Sequence, residues 1–152
     1  MEKLFLLFYQ TSGISIDSRT IQKESLFIAI KGDRFDGNHY AEKAIEAGAK
    51  FAIVDKKLIA NEINIFWVED TLLFLQKLAN FHRSKFNIPI IGITGSNGKT
   101  STKELINIVL SQKYNVLCTK GNLNNHIGVP LTLLQLNDKH ELAIIEMGAN
   151  KH

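Results

Sequence analysis

The residue types most able to do chemistry fall in one short run, Thr94-Gly95-Ser96-Asn97-Gly98-Lys99-Thr100-Ser101. A phosphate group presents many lone pairs and up to two negative charges, so a loop that holds it needs inward-pointing backbone N–H donors and little side-chain bulk. Gly95 and Gly98 supply the permissive backbone. The run lies between a buried-type strand at residues 90–94 and a helix starting near Lys99, whose first amides and dipole favour an anion. The sequence therefore predicts that Gly95, Ser96, Asn97, Gly98, Lys99, Thr100 and Ser101 cradle nucleotide phosphates, with Lys99 on the β and γ phosphates and the Thr100 hydroxyl on Mg²⁺. The spacing misses the general Walker A run by one residue: Ile93 stands five positions before Gly98, and the earlier glycine is Gly92. The competing reading is an ordinary strand-to-helix turn. Gly-Lys-Thr directly after a strand and opening a helix favours phosphate.

Other polar residues carry less information on their own. Glu146 sits near the carboxyl end of a strand expected at residues 142–147, where open α/β sheets bind ligands, although a solvent-facing or capping glutamate is an equal alternative. Asn124 and Asn125 offer amide donors and acceptors for a phosphate or carboxylate, or simply make a turn. Asp17, Ser18 and Arg19 read by residue type as a surface turn with a salt bridge; Lys31, Gly32, Asp36 and Gly37 read as tight-turn residues. His126 has no His or Cys at ligand spacing, which argues against a transition-metal site. The single cysteine, Cys118, lies in an apolar run and is expected to be a structural thiol in a reducing compartment.

These groups need a scaffold, and the composition provides for one: 45% of the 152 residues are hydrophobic and 22% charged, as in a packed globular protein. A formal charge of +3 spread among acidic residues reads as solvated surface and predicts no nucleic-acid partner. The apolar run at residues 4–9 lacks the cleavage site and length of a signal core, and no stretch approaches the roughly 20 residues of a membrane span, so a cytoplasmic chain without membrane insertion is expected. Residues 2–10 read as a short helix, and 14–16, 26–30, 51–54 and 63–68 as strands. Helices are expected at 40–47, closed by Gly48, and from Asp70 to about Lys85 with Leu72, Leu75, Leu78, Ala79 and His82 inward. Asn87-Ile88-Pro89 breaks the helical pattern and marks the domain boundary. Beyond it follow a helix at 99–111 with Leu105, Ile106, Val109 and Leu110 on one side, a strand at 115–118, a short helix near 131–134 and the last strand. Three strands are few against the usual five to six or so of a sheet, so this part is read as truncated and its last strand as poorly supported.

Residues 94–100 resemble the nucleotide loop of the Mur ligases and folylpolyglutamate synthetases, whose loop departs from Walker A in the same way. Gly121-Asn122-Leu123-Asn124-Asn125-His126-Ile127-Gly128-Val129-Pro130-Leu131 and Ile144-Ile145-Glu146-Met147-Gly148-Ala149-Asn150 are similar to the Mur ligases that add D-alanyl-D-alanine. Ile16-Asp17-Ser18-Arg19, Leu26-Phe27-Ile28-Ala29-Ile30-Lys31-Gly32, Phe35-Asp36-Gly37 and Ala44-Ile45-Glu46-Ala47-Gly48-Ala49 resemble the family's domain for the UDP-sugar end of the substrate. Two departures stand out: Glu24-Ser25 replaces the usual Gly-Asp, and Asn38-His39 follows Asp36-Gly37 where His comes first.

The resemblance implies an α/β chain with a UDP-substrate-binding domain at residues 1–86 and, at 87–152, the beginning of a P-loop, doubly wound ATP-binding domain. It implies ATP and Mg²⁺ as cofactors, and UDP-N-acetylmuramoyl-peptide and D-Ala-D-Ala as substrates of a monomeric, ATP-dependent amide-bond ligase. By the same resemblance Lys99, Asn124 and Asn125 serve catalysis and Thr100 and Glu146 hold metal. Asp17, Ser18, Arg19, Lys31, Gly32, Asp36 and Gly37 then contact the UDP-sugar. The family places a modified lysine, further metal-site residues and another domain beyond the matching segment, so little or no turnover is expected of this portion alone. A folylpolyglutamate-type ligase, disfavoured by residues 16–19, and a non-catalytic UDP-sugar or nucleotide-binding module are the alternatives.

Overall fold

Short β-branched and aromatic runs separated by turns build the first half. The computed structural model describes residues 2–32 and 35–148. In chain order it contains α1 (Glu2–Phe8), β1 (Ile14–Ser15), β2 (Leu26–Ile28), β3 (Lys31–Gly32), β4 (Phe35–Asp36), a 3-10 turn (Gly37–Tyr40), α2 (Ala41–Glu46), β5 (Phe51–Val54), a second 3-10 turn (Lys57–Ile59), β6 (Ile65–Trp67) and α3 (Thr71–Arg83). Strands β1, β2, β5 and β6 pair in that order, all parallel, while β3 and β4 form a separate antiparallel pair. Phe27, Ala29, Ala52, Val54 and Ile65 pack with Ala41 and Ala44 of α2. Their neighbours Leu26, Ile28 and Ile53 are fully buried too, and successive strand residues face opposite ways, so both faces of this sheet are covered. Phe5 of α1 meets Phe74 of α3 at 5.4 Å between ring centroids.

Two sequence departures find a place here. Glu24, one of the departures from the resemblance, adopts φ +62°, a left-handed conformation that suits glycine best. Asn38 is buried: its amide donates to Asp36 and Asp55, and its oxygen accepts the backbone amides of Asp55 and Lys56. His39, displaced by one position, stays outside with Lys56 beside it.

The second half contributes β7 (Ile90–Ile93), α4 (Lys99–Leu110), β8 (Val116–Cys118), α5 (Gly128–Leu133) and β9 (Leu142–Glu146). The sheet order is β7-β9-β8, all parallel, as expected for the start of a doubly wound domain. Strand β9 corrects the expectation of a poorly supported last strand: it lies between the other two, and all five of its residues are buried. Ala149 and Asn150, the end of one matching segment, lie outside the described residues. Helix α5 begins earlier than expected, because Pro130 falls in its first turn, where a missing N–H costs nothing.

Helix α4 turns differently from the expected stripe. Lys103 is fully buried and Ile106, Asn107 and Leu110 are half-buried, a face at helical spacing headed by a lysine, while Leu105 and Val109 stand 65% and 68% exposed. By packing, the chain divides into two compact units, residues 1–78 and 79–152. Within the first unit the Thr71 hydroxyl donates to the Ala29 carbonyl, and within the second His82 donates from Nε2 to the Leu136 carbonyl.

Candidate functional site

The phosphate-loop candidate forms where β7 ends and α4 begins. Gly98 precedes the helix at φ +76°, and Gly95 sits at φ +149°, conformations that any side chain would strain. Ser96, Asn97, Gly98, Thr100 and Ser101 are exposed. Among the described residues, the amides of residues 96–101 donate to no backbone carbonyl. Unengaged helix-terminal N–H groups with a positive dipole end are the physical basis of an anion site. Lys99 curls back so that its ammonium donates to the carbonyls of Gly95 and Ser96. The cation thus already sits at the loop, on neutral carbonyl partners.

Glu146, at the end of β9, comes to this loop from a strand 46 positions later in sequence. Its Oε1 accepts from the Thr100 hydroxyl at 3.2 Å and from the Asn124 amide at 2.7 Å. Its Oε2 is buried and, among the described residues, has no hydrogen-bond partner, with the Lys103 ammonium 3.7 Å away. The Glu146 backbone amide donates to Thr119 Oγ1 at 3.0 Å. The structure therefore brings together Lys99, Thr100, Asn124 and Glu146 of the predicted set. Asn125 does something else with its carbonyl oxygen, which accepts the amides of Ile127 and Gly128 and caps the entry to α5. Gly128 is needed there, since a Cβ would lie 2.5 Å from the Leu123 backbone. Among the described residues no three His, Cys, Asp or Glu side chains cluster as a metal centre. Burial pushes the Cys118 thiol up, in keeping with a structural role.

The other predicted residues gather in the first unit. Asp17 and Arg19 form a two-point ion pair, Nε to Oδ1 at 2.9 Å and Nη2 to Oδ2 at 2.6 Å. That side-chain contact holds the exposed Asp17 carboxyl at about 2. With Ile16, Ser18, Phe35 and Tyr40 the pair lines a recess of about 440 Å³. The rings of Phe35 and Tyr40 stack at 5.1 Å between centroids with 16° between planes. Lys31 pairs with Asp55 at 2.8 Å. Asp36 accepts from Asn38 and lies 2.7 Å from the Lys56 ammonium; burial alone would raise its carboxyl, but these partners outweigh it and hold it well below the usual range. Gly37 has a packing role, because a Cβ there would lie 2.7 Å from the Ile30 carbonyl. Gly32 lies in β3 with open space around it.

Sequence reasoning missed three contributors. Phe35 and Tyr40 flank the turn residues Asp36 and Gly37, but the stacking of their rings was not read from the sequence. Lys103 had one signal: it follows Lys99 by four positions, so both share a face of α4.

Comparison with known proteins bears on both regions. Residues 10–83 match the Mur ligase family catalytic domain, and residues 93–152 match the Mur ligase middle domain. The chain is 44% identical over 138 residues to a UDP-N-acetylmuramoyl-tripeptide--D-alanyl-D-alanine ligase of Bacillus subtilis, a match that takes in 90% of this chain and 30% of that protein. MurF from Acinetobacter baumannii superposes on 99% of this chain with TM-score 0.88 and 35% identity, using 36% of its own length. MurF ligase from Thermotoga maritima, solved in complex with ADP, superposes on 93% with TM-score 0.83 and 35% identity, using 33% of its length. The chain thus spans about a third of the length of the relatives it matches.

Proposed function

Because the chain belongs to the Mur ligase family, we propose that it supplies the nucleotide-phosphate site and the UDP-precursor site of an ATP-dependent ligase that joins D-Ala-D-Ala to UDP-N-acetylmuramoyl-tripeptide in peptidoglycan synthesis. The observation that carries this reading is the contact between Thr100 and Glu146 beside a loop whose amides, among the described residues, donate to no backbone carbonyl. The ADP bound to the Thermotoga relative and the D-alanyl-D-alanine ligase names of the relatives support it.

The peptide carboxylate is a poor acylating agent because its leaving group would be oxide. In the proposed reaction its oxygen attacks the γ-phosphorus of ATP and ADP leaves. The amine of D-Ala-D-Ala then attacks the acyl carbon, loses a proton and expels phosphate, giving the amide. The phosphoryl step depends on positioning and charge neutralisation. Lys99 supplies a cation one reorientation away from its loop carbonyls, and the amides of residues 96–101 supply donors. Asn124 orients the Glu146 carboxylate, while Asn125, whose oxygen caps α5, offers its amide NH₂ to phosphate or carboxylate.

The residues fit Mg²⁺. This ion takes hard oxygen ligands and is commonly held by one or two carboxylates together with substrate phosphates. Thr100 Oγ1 and Glu146 Oε2, which has no hydrogen-bond partner among the described residues, are such donors. Bound there, the ion would neutralise charge on the transferred phosphate.

In the first unit, Asp17, Ser18 and Arg19 with the Phe35 and Tyr40 rings are assigned to the uridine diphosphate end, Arg19 as the paired donor. Lys31, Gly32, Asp36 and Gly37 are assigned to shaping the adjoining turn.

Calorimetric titration tests both halves. The chain is expected to bind ATP with Mg²⁺, and Lys99→Ala to weaken this roughly tenfold to a hundredfold, the worth of about 1.5–3 kcal/mol for a charged hydrogen bond. It is expected to bind UDP-N-acetylmuramoyl-tripeptide, with or without Lys99, and not a folate. Equal ATP affinity in parent and variant overturns the loop assignment.

A further inference from the structure

Lysine is almost never fully buried unless paired, yet Lys103 is, on the inward face of α4. Its ammonium donates to the Thr119 carbonyl at 2.7 Å and to that of Gly121 at 3.4 Å, just past the end of β8. It lies 3.0 Å from Glu104 Oε1 and 3.7 Å from Glu146 Oε2. Thr119 completes the frame, since its hydroxyl donates to the Ile144 carbonyl and accepts the Glu146 amide.

The two oxygens of Glu146 are therefore held in different ways. Oε1 is fixed by hydrogen bonds from Thr100 and Asn124. Among the described residues Oε2 has a positive charge beside it but no donor on it, because two carbonyls and the nearer Glu104 carboxylate hold that ammonium. A buried carboxylate needs a compensating charge. A hydrogen bond to Oε2 would also occupy the lone pairs that a metal ion uses.

We propose that Lys103 is a positioning residue for the divalent-cation site: it ties the turn after β8 to Glu146 and holds that carboxylate by charge, leaving Oε2 open to the ion. The proposal rests on the nucleotide reading above. A lysine that merely supported the fold would affect nucleotide binding equally with and without the cation. A positioning lysine acts on the gain that the cation brings.

The experiment compares parent, Lys103→Met and Lys103→Gln chains, each titrated with ATP in excess EDTA and again in Mg²⁺. Thermal melting first establishes which are folded. Glutamine can still donate to the Thr119 carbonyl, so it serves if the methionine variant does not fold. The expected result is unchanged affinity in EDTA and a loss of roughly tenfold or more of the Mg²⁺ gain, the usual cost of removing a partner behind a metal ligand. A gain equal to the parent's, or affinity lost equally in both buffers, overturns the role of Lys103. A parent that binds ATP without any Mg²⁺ gain overturns the metal-site reading itself and this proposal with it.

Discussion

The two candidate regions differ in what their polar groups already hold. In the phosphate loop the amides of residues 96–101 have no backbone acceptor among the described residues, and Glu146 Oε2 has no hydrogen-bond partner. Around the recess of the first unit the charges have found one another: Arg19 with Asp17, Lys31 with Asp55, Lys56 with Asp36. A ligand at the loop adds interactions to groups that lack them. A ligand at the recess must compete with pairs already made, and each exposed pair is itself weak. Readiness for a ligand is thus visible as unsatisfied capacity, not as density of charge.

That contrast can be broken in three places. Glu146→Gln should give the largest effect, reducing the Mg²⁺ gain in ATP affinity by roughly a hundredfold, the upper end of what metal-site partners contribute. A gain that survives the substitution would mean that the open oxygen has no bearing on the ion. In the recess, Arg19→Ala should weaken UDP-precursor binding by about tenfold, near the low end for a charged hydrogen bond. Asp17→Asn should instead tighten it, because the substitution weakens the internal pair and leaves the guanidinium in place; weaker binding would show that Asp17 touches the ligand itself. The smallest effect concerns acid stability. Asp36 has a folded value held below the ordinary one near 4, so its contribution is full above about pH 4 and is lost as pH falls through the folded value. Urea midpoints of Asp36→Asn should fall at neutral pH and vary less than the parent's on acidification.

The same contrast explains what was legible in the sequence. The phosphate loop could be read because its chemistry is local: two glycines, a lysine and a hydroxyl within residues 95–100, between a strand and a helix. The parallel strands could be read from β-branched runs, and the inward residues Leu75, Leu78, Ala79 and His82 of α3 from their spacing. Helix α4 defeated the same method. Its inward face is Lys103, Ile106, Asn107 and Leu110, and a rule that seeks apolar residues at helical spacing passes over two of these. Lys103 is tolerated inside because Thr119 and Gly121 carry their carbonyls to it from the end of β8 and the Glu104 and Glu146 carboxylates lie beside it, an arrangement set by strand pairing. The recess was half legible. The Asp17–Arg19 pair was foreseen as the plain surface alternative, whereas the aromatic stack behind it needed coordinates.

The placement of β9 has a consequence for how the second unit assembles. Strands β7 and β8 are each paired to β9 and not to one another. During synthesis, at about 5–20 residues per second, β7, α4 and β8 leave the ribosome with no ladder to join. They must wait for residues 142–146 before any hydrogen bond of this sheet can close. The phosphate loop and its carboxylate therefore come into being in one late event, and a nascent chain halted before Leu142 would have neither.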